Sequence, residues 1–190
     1  YHRNIAQALE TLYAANQDEV NAQVAIQYEL AGLPEQALPY YQQAASAACR
    51  VYANHEATHY FQKALALLKT LPNTPGRLQQ ELELQVELAS ALMAIEGLAS
   101  ATAEQAYSRA FTVCQQVEQT THLFPILWGL HEVYLFQAKY EQACALAQQC
   151  MDLAQHAQDP ALLLQAHHAW WAVLFFLAPD QLSQVLAHAE

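Results

Sequence analysis

A chain of 190 residues in which 54% are apolar and only 13% charged falls well short of the roughly one quarter of charged residues usual in globular domains, yet is too hydrophobic to be intrinsically disordered. Its net charge of −11, with seven Lys plus Arg, leaves no basic stripe for a phosphate backbone and argues against nucleic acid as a direct partner. The polar share is carried by 24 glutamines set among alanines, with four glycines and seven prolines as punctuation, a composition of strong helix formers that predicts an all-α chain.

In chain order, Ile5, Leu9 and Leu12 share one stripe of a first helix ending near Ala15, and a second runs from about Asp18 to Ala31. Gly32 stops it, and Pro34 opens a third helix to Val51 or Tyr52, with a local bend expected at Pro39, because proline removes one intrahelical hydrogen bond. Asn54 is the expected cap of a fourth helix to Thr70, LPNTPG the clearest break, and Thr74–Pro75 the cap and start of a fifth that ends at Gly97. Ser100 or Thr102 caps a sixth, Thr121 a seventh to Gln137, and a short turn at Lys139 leads into an eighth reaching Ala157. Asp159 and Pro160 repeat the cap-and-proline signature before a ninth helix over 161–177, and a tenth begins after Pro179 and Asp180.

Two stretches share one spacing. Tyr28, Gly32, Ala37, Tyr41 and Ala44 in QYELAGLPEQALPYYQQA are matched by Tyr134, Ala138, Ala143, Ala147 and Cys150 in EVYLFQAKYEQACALAQQC. Each reads as a helical hairpin in which small residues allow close approach and a large aromatic fills the gap one turn along. Small residues opening alternate helices, Ala57, Ala103, Ala143 and Ser183, are 46, 40 and 40 apart. The expected architecture is a right-handed α-α superhelix of antiparallel pairs, about ten helices in one domain over residues 1–190. Its core should include Val24, Tyr28, Tyr41, Phe61, Leu65, Leu88, Leu92, Tyr107, Leu127, Leu130, Tyr134, Trp170 and Leu174.

The stretches AGLPEQALPYYQQA, ANHEATHYFQKALALLKTLPNTP, ELELQVELASALMA and DPALLLQAHHA resemble tetratricopeptide repeats. They are similar above all to the longer-period version beside the nucleotide-binding module of large bacterial signalling ATPases, some joined to adenylate or guanylate cyclase or kinase modules. Trp170 and Trp171 depart from the pattern, standing where such repeats take Leu then Gly. The resemblance implies a non-catalytic, cytoplasmic scaffold for signal transduction, cut from a larger protein.

One catalytic motif is present as text. His55, Glu56 and His59 spell HExxH, which on a helix would offer two imidazoles to zinc and a glutamate as base. It straddles Ala57, the residue that opens a helix pair, and only Glu81 or Glu83 could supply a third ligand. We therefore read the motif as coincidental, Glu81, Glu83 and Glu87 as a solvated helix face, and a zinc metallopeptidase as the lesser alternative. His167 and His168 point to different helix faces. Glycines at 32, 76, 97 and 129 build no phosphate loop, and no nucleophile elbow appears, so neither catalysis nor a cofactor is expected. Cys49, Cys114, Cys144 and Cys150 form no CxxC pair and look like small buried residues of a reducing compartment. The longest apolar run, Ala169 to Ala178, is about half of what a bilayer requires.

The expected partner surface lies where helices are apolar on more faces than neighbours can bury. Trp128, Glu132 and Phe136 form a second stripe beside Leu127, Leu130 and Tyr134, as do His168 and Phe175 beside Trp170 and Leu174. In tetratricopeptide arrays such off-core positions line the concave face. The resemblance thus implies that Trp128, Glu132, Phe136, His168 and Phe175 contact a peptide, a protein or another segment of the same polypeptide. The other readings are a small-ligand site between helices, or a thicker core. The carboxy-terminal helices, with Val185 and Leu186, are expected to support a homodimer or the next repeat.

Overall fold

The computed structural model describes residues 1–117 and 121–177, and among these every regular element is helical. The helices are α1 (His2–Leu12), α2 (Asn21–Leu30), α3 (Pro34–Arg50), α4 (Asn54–Leu68), α5 (Pro75–Glu96), α6 (Ala101–Gln116), α7 (Leu123–Phe136), α8 (Tyr140–Ala157) and α9 (Pro160–Leu177), with a 3-10 turn at Gln17–Glu19. The chain divides into two compact units, Tyr1–Ile95 and Glu96–Glu190; the division falls at the end of α5, not at LPNTPG. The expected tenth helix, Ser183, and the carboxy-terminal contact through Val185 and Leu186 lie outside the described residues.

Three turns repeat one hydrogen-bond pattern. At the end of α2 the Leu33 amide donates to the Tyr28 carbonyl (3.0 Å) and Gly32 to Glu29 (3.0 Å); after α3, Ala53 donates to Ala48 (2.9 Å) and Tyr52 to Cys49 (3.1 Å); after α7, Lys139 donates to Tyr134 (2.8 Å) and Ala138 to Leu135 (3.1 Å). This is the Schellman closure, which requires one left-handed residue, supplied by Gly32 (φ 70°), Tyr52 (φ 59°) and Ala138 (φ 58°). Only three residues then separate the helices, so each pair must run antiparallel and in contact. The caps at Thr74, Ser100 and Asp159 form: Thr74 Oγ1 accepts from Arg77 N (3.2 Å), Ser100 Oγ from Ala103 N (3.0 Å) and Asp159 Oδ1 from Ala161 N (2.8 Å).

Two cap assignments are corrected. Asn54 is the first residue of α4, because the closure at Tyr52 brings the chain back into helix one residue sooner and puts Ala53 at the cap; His122, not Thr121, precedes α7. The first helix stops at Leu12, where Tyr13 leaves helical geometry, and the region around Asp18 forms the 3-10 turn instead of the start of α2. α3 runs through Pro39, whose ring is exposed. The acidic face of α5 is also revised. Glu81 is buried beside the guanidinium of Arg77 one turn earlier (4.0 Å), and Gln79 donates to Glu83 (2.7 Å), so only Glu87 of the three is exposed.

In the first unit the helices are stapled by tyrosine–glutamate pairs. Glu10 of α1 accepts from Tyr28 of α2 (2.8 Å) and Tyr40 of α3 (2.6 Å), whose rings stack at 5.8 Å. Glu29 of α2 accepts from Tyr41 of α3 and from Lys63 of α4 (3.1 Å). Burial together with the Glu10 carboxylate pushes the Tyr28 phenol up to about 12, and the Tyr41 hydrogen bond holds Glu29 below the usual carboxylate range. Small residues with no exposed surface, Ala25, Ala37, Ala45, Ala57 and Ala64, line the contacts between them.

The second unit repeats α2–α3 after 106 residues, as α7–α8: Tyr28 corresponds to Tyr134, Gly32 to Ala138, Ala37 to Ala143 and Ala44 to Cys150. Of the expected core, all but three residues are buried. Tyr134 is half-buried because its ring is held at the rim under the Lys139 ammonium, 4.9 Å from the centroid. On α9 the innermost positions are Ala166, Ala169 and Val173, which leaves Trp170 and Leu174 on the flank. All four cysteines are free; Cys114 and Cys150 are buried, and burial pushes the Cys150 thiol up to about 12.

Two glycine exchanges should move stability in opposite directions. Ala138→Gly relieves a left-handed alanine and should raise stability by up to about 1 kcal/mol. Gly129→Ala should lower it by about 1–3 kcal/mol, the usual cost of overpacking, because a Cβ there would overlap the buried ring of Tyr107. Urea melts of the two variants check both signs.

Candidate functional site

α7 is apolar on nearly all sides, and packing uses most of it: Phe124, Ile126, Leu127, Leu130, Val133 and Leu135 are buried. What remains is the row Trp128, Glu132, Phe136, spaced four residues apart and therefore aligned along one side of the helix. α9 contacts α7 as well as α8 and presents His168, Trp171 and Phe175, three and four residues apart. Between these two rows lies a cavity of about 310 Å³. All five residues expected at a partner surface, Trp128, Glu132, Phe136, His168 and Phe175, line it.

The walls are a run of rings in mutual contact. Phe124 stacks on Trp128 (6.4 Å), Trp128 on His168 (5.7 Å), His168 on Trp171 (6.4 Å) and Trp171 on Phe175 (5.5 Å). Phe176 meets Phe175 edge-on (5.7 Å) and Phe136 at a steep angle (6.4 Å). Four of the phenyl and indole rings remain open to solvent: Phe136 is 50% exposed, Trp171 49%, Phe175 57% and Phe176 48%. A contiguous exposed aromatic patch of this kind marks contact sites on soluble proteins.

Three polar side chains line this apolar cavity, His131, Glu132 and His168. His131 is 1% exposed, and its Nδ1–H donates to the Ala143 carbonyl (3.0 Å). That bond fixes the tautomer and leaves Nε2 as a lone-pair acceptor. Burial holds the His131 imidazole below its ordinary pKa, so it is neutral, and burial pushes the Glu132 carboxyl up, opposed by the nearby His168. Among the described residues no Lys or Arg pairs with Glu132; Lys139 is taken by Glu104 (3.1 Å).

Sequence reasoning missed His131 and Trp171. His131 sits on the core stripe and reads as filler; its adjacency to Glu132 was the available signal. Trp171 was noticed only as a departure from a repeat pattern, although it lies three residues after His168, one turn along the same face.

The first unit supplies an internal control. At the equivalent positions of α2, Trp128, His131, Glu132 and Phe136 are replaced by Ala22, Ala25, Ile26 and Leu30. That hairpin closes with the same hydrogen bonds. The rings and the carboxylate are thus additions to a fold that forms without them. The depression nearest this face, about 500 Å³, is more open and polar, lined by Asp18, Arg50 and Glu56 among others, and its principal charges satisfy each other through Arg50–Asp18 at 2.6 Å.

His55 and His59 are exposed on the first turns of α4, and Glu56 borders the polar depression. Glu81 is engaged beside Arg77. Among the described residues no three His, Cys, Asp or Glu side chains are grouped to hold a metal ion, and no helix is long and apolar enough to cross a membrane. No protein-family model matches the chain, and comparison with curated proteins finds no match.

The two histidines of the pocket should separate on mutation. His131→Leu removes a buried hydrogen bond and should cost about 1–3 kcal/mol, whereas His168→Ala, at an exposed ring, should stay within about 0.5 kcal/mol of the parent. Chemical denaturation of both variants is the measurement.

Proposed function

We propose that this chain is a non-catalytic interaction module, tetratricopeptide-like in design, that binds a protein or peptide segment in the aromatic cavity between α7 and α9. The carrying observation is the contrast between the two units: the same hairpin is built once with Ala22, Ala25, Ile26 and Leu30 and once with Trp128, His131, Glu132 and Phe136. Aromatic anchors that the fold does not require, half exposed and rimmed by polar groups, have the make-up of a binding hot spot. A segment inserting one or two side chains would cover the exposed rings, with Glu132 and His131 setting its orientation. The resemblance of the repeats to the sensor regions of bacterial signalling ATPases supports a role in signal transduction, where the bound segment belongs to another protein or to another part of the same polypeptide. The four free cysteines suit a reducing cytoplasm.

Selection from a displayed random-peptide library, followed by variant analysis, tests this reading. The parent should enrich a consensus peptide, and Trp128→Ala and Phe175→Ala should abolish its binding. Loss of no more than about 1 kcal/mol of stability is expected, because these rings are part-exposed, against the 3–5 kcal/mol typical of truncating a core aromatic. Variants that unfold, or a library that enriches nothing dependent on Trp128, would refute it.

A further inference from the structure

The polar groups of the cavity point to the chemistry of its ligand. Its walls are aromatic, and two of its polar lining residues offer acceptors: the Glu132 carboxylate, without a Lys or Arg partner among the described residues, and Nε2 of the neutral, buried His131. Glu132, His131 and His168 are the ionisable residues lining the cavity, and no Lys or Arg is among them. A carboxylate held part-buried beside indole and phenyl rings is costly to leave unpaired, so an apolar ligand would make its position worse by stripping the remaining water. A cation would improve it. The chain as a whole, at −11, attracts a basic partner and repels an acidic one.

On the reading of the cavity as the binding surface, we propose that the side chain it takes from its partner is an arginine, whose guanidinium lies against the part-exposed rings of Trp171 and Phe175 and donates to Glu132 and His131. Arginine fits better than lysine on three counts. Its flat cation stacks on ring faces, its donors are arranged to serve two acceptors at once, and its weaker hydration lowers the cost of entering an apolar site. A cavity of about 310 Å³ has room for one long side chain but lies at the small end for a free ligand of drug size.

The test uses the full chain and two probe peptides, acetyl-Leu-Arg-Leu-amide and its citrulline counterpart, which keeps the shape and planarity of arginine but is neutral. Binding is followed by tryptophan fluorescence and by the indole N–H resonances of Trp128 and Trp171. The arginine peptide should bind at least about tenfold more tightly than the citrulline peptide, a lysine peptide should fall between them, and Glu132→Gln should bring the arginine peptide down to the citrulline level while the circular dichroism is unchanged. Equal binding of the arginine and citrulline peptides, lost in Trp128→Ala, would overturn the arginine assignment and leave the interaction module standing. Binding of neither peptide at millimolar concentration would overturn it too, and the library selection would then decide the module's fate on its own. Should Glu132→Gln prove unstable, Glu132→Asp serves instead: it keeps the charge but withdraws it by one methylene, and an arginine preference unchanged in that variant would also count against the proposal.

Discussion

The structure depends on how closely consecutive helices approach, and that closeness is set at the turns. A Schellman closure with a single left-handed residue allows three residues between helices at Gly32, Tyr52 and Ala138. With so short a connection the first turns of the second helix lie against the last turns of the first, and only small side chains fit there. Ala37 and Ala143, each without exposed surface, meet that demand at matching places. Two of the three left-handed positions are occupied by residues other than glycine, which costs about 1–2 kcal/mol each. The closures persist because helix contacts on either side of the turn outweigh that strain.

Within this common frame the two units stabilise their interfaces by different chemistry. The first uses phenol–carboxylate hydrogen bonds, Tyr28 and Tyr40 to Glu10 and Tyr41 to Glu29. In the second, the places of Glu29, Tyr40 and Tyr41 are taken by Leu135, Leu146 and Ala147, and polar contacts include the His131–Ala143 bond, the Gln137–Ala99 bond and, at the rim, Glu104 with Lys139 and Tyr134. Replacing tyrosine by alanine on α8 removes bulk from that side of the hairpin, while α7 gains Trp128 and Phe136. The aromatic mass has moved from between the helices to the face shared with α9, where it encloses a cavity instead of filling a gap.

Much of the fold was legible because it rests on local signals: the positions of Gly32 and Gly97, the caps at Thr74, Ser100 and Asp159, and apolar stripes of helical period. The misassignments arose where tertiary structure overrides them. Tyr52 is an improbable left-handed residue, so nothing local announced the turn that demoted Asn54 from cap to first helical position. Glu81 is buried beside Arg77, a pairing that spacing permits but does not require. Trp170 and Leu174 lie beside the core because alanines at 166 and 169 let α9 roll onto its small-residue face. The cavity was legible for a different reason. An excess of apolar positions over those a two-sided contact can cover is visible in sequence, and it drew attention to Trp128, Phe136 and Phe175. His131 escaped because a buried histidine and a lining histidine share the same stripe.

On the proposed binding role, Glu132 would turn this aromatic face from a merely sticky surface into a selective one. A purely apolar patch of rings would accept almost any hydrophobic segment, and would also be prone to self-association. A half-buried carboxylate set among the rings penalises apolar occupants, which desolvate it without compensation, and penalises anionic ones more strongly. On that proposal, selectivity would come from one unfavourable group held in place by a scaffold that can bear its cost. The equivalent helix of the first unit has Ile26 at that position and carries no such filter.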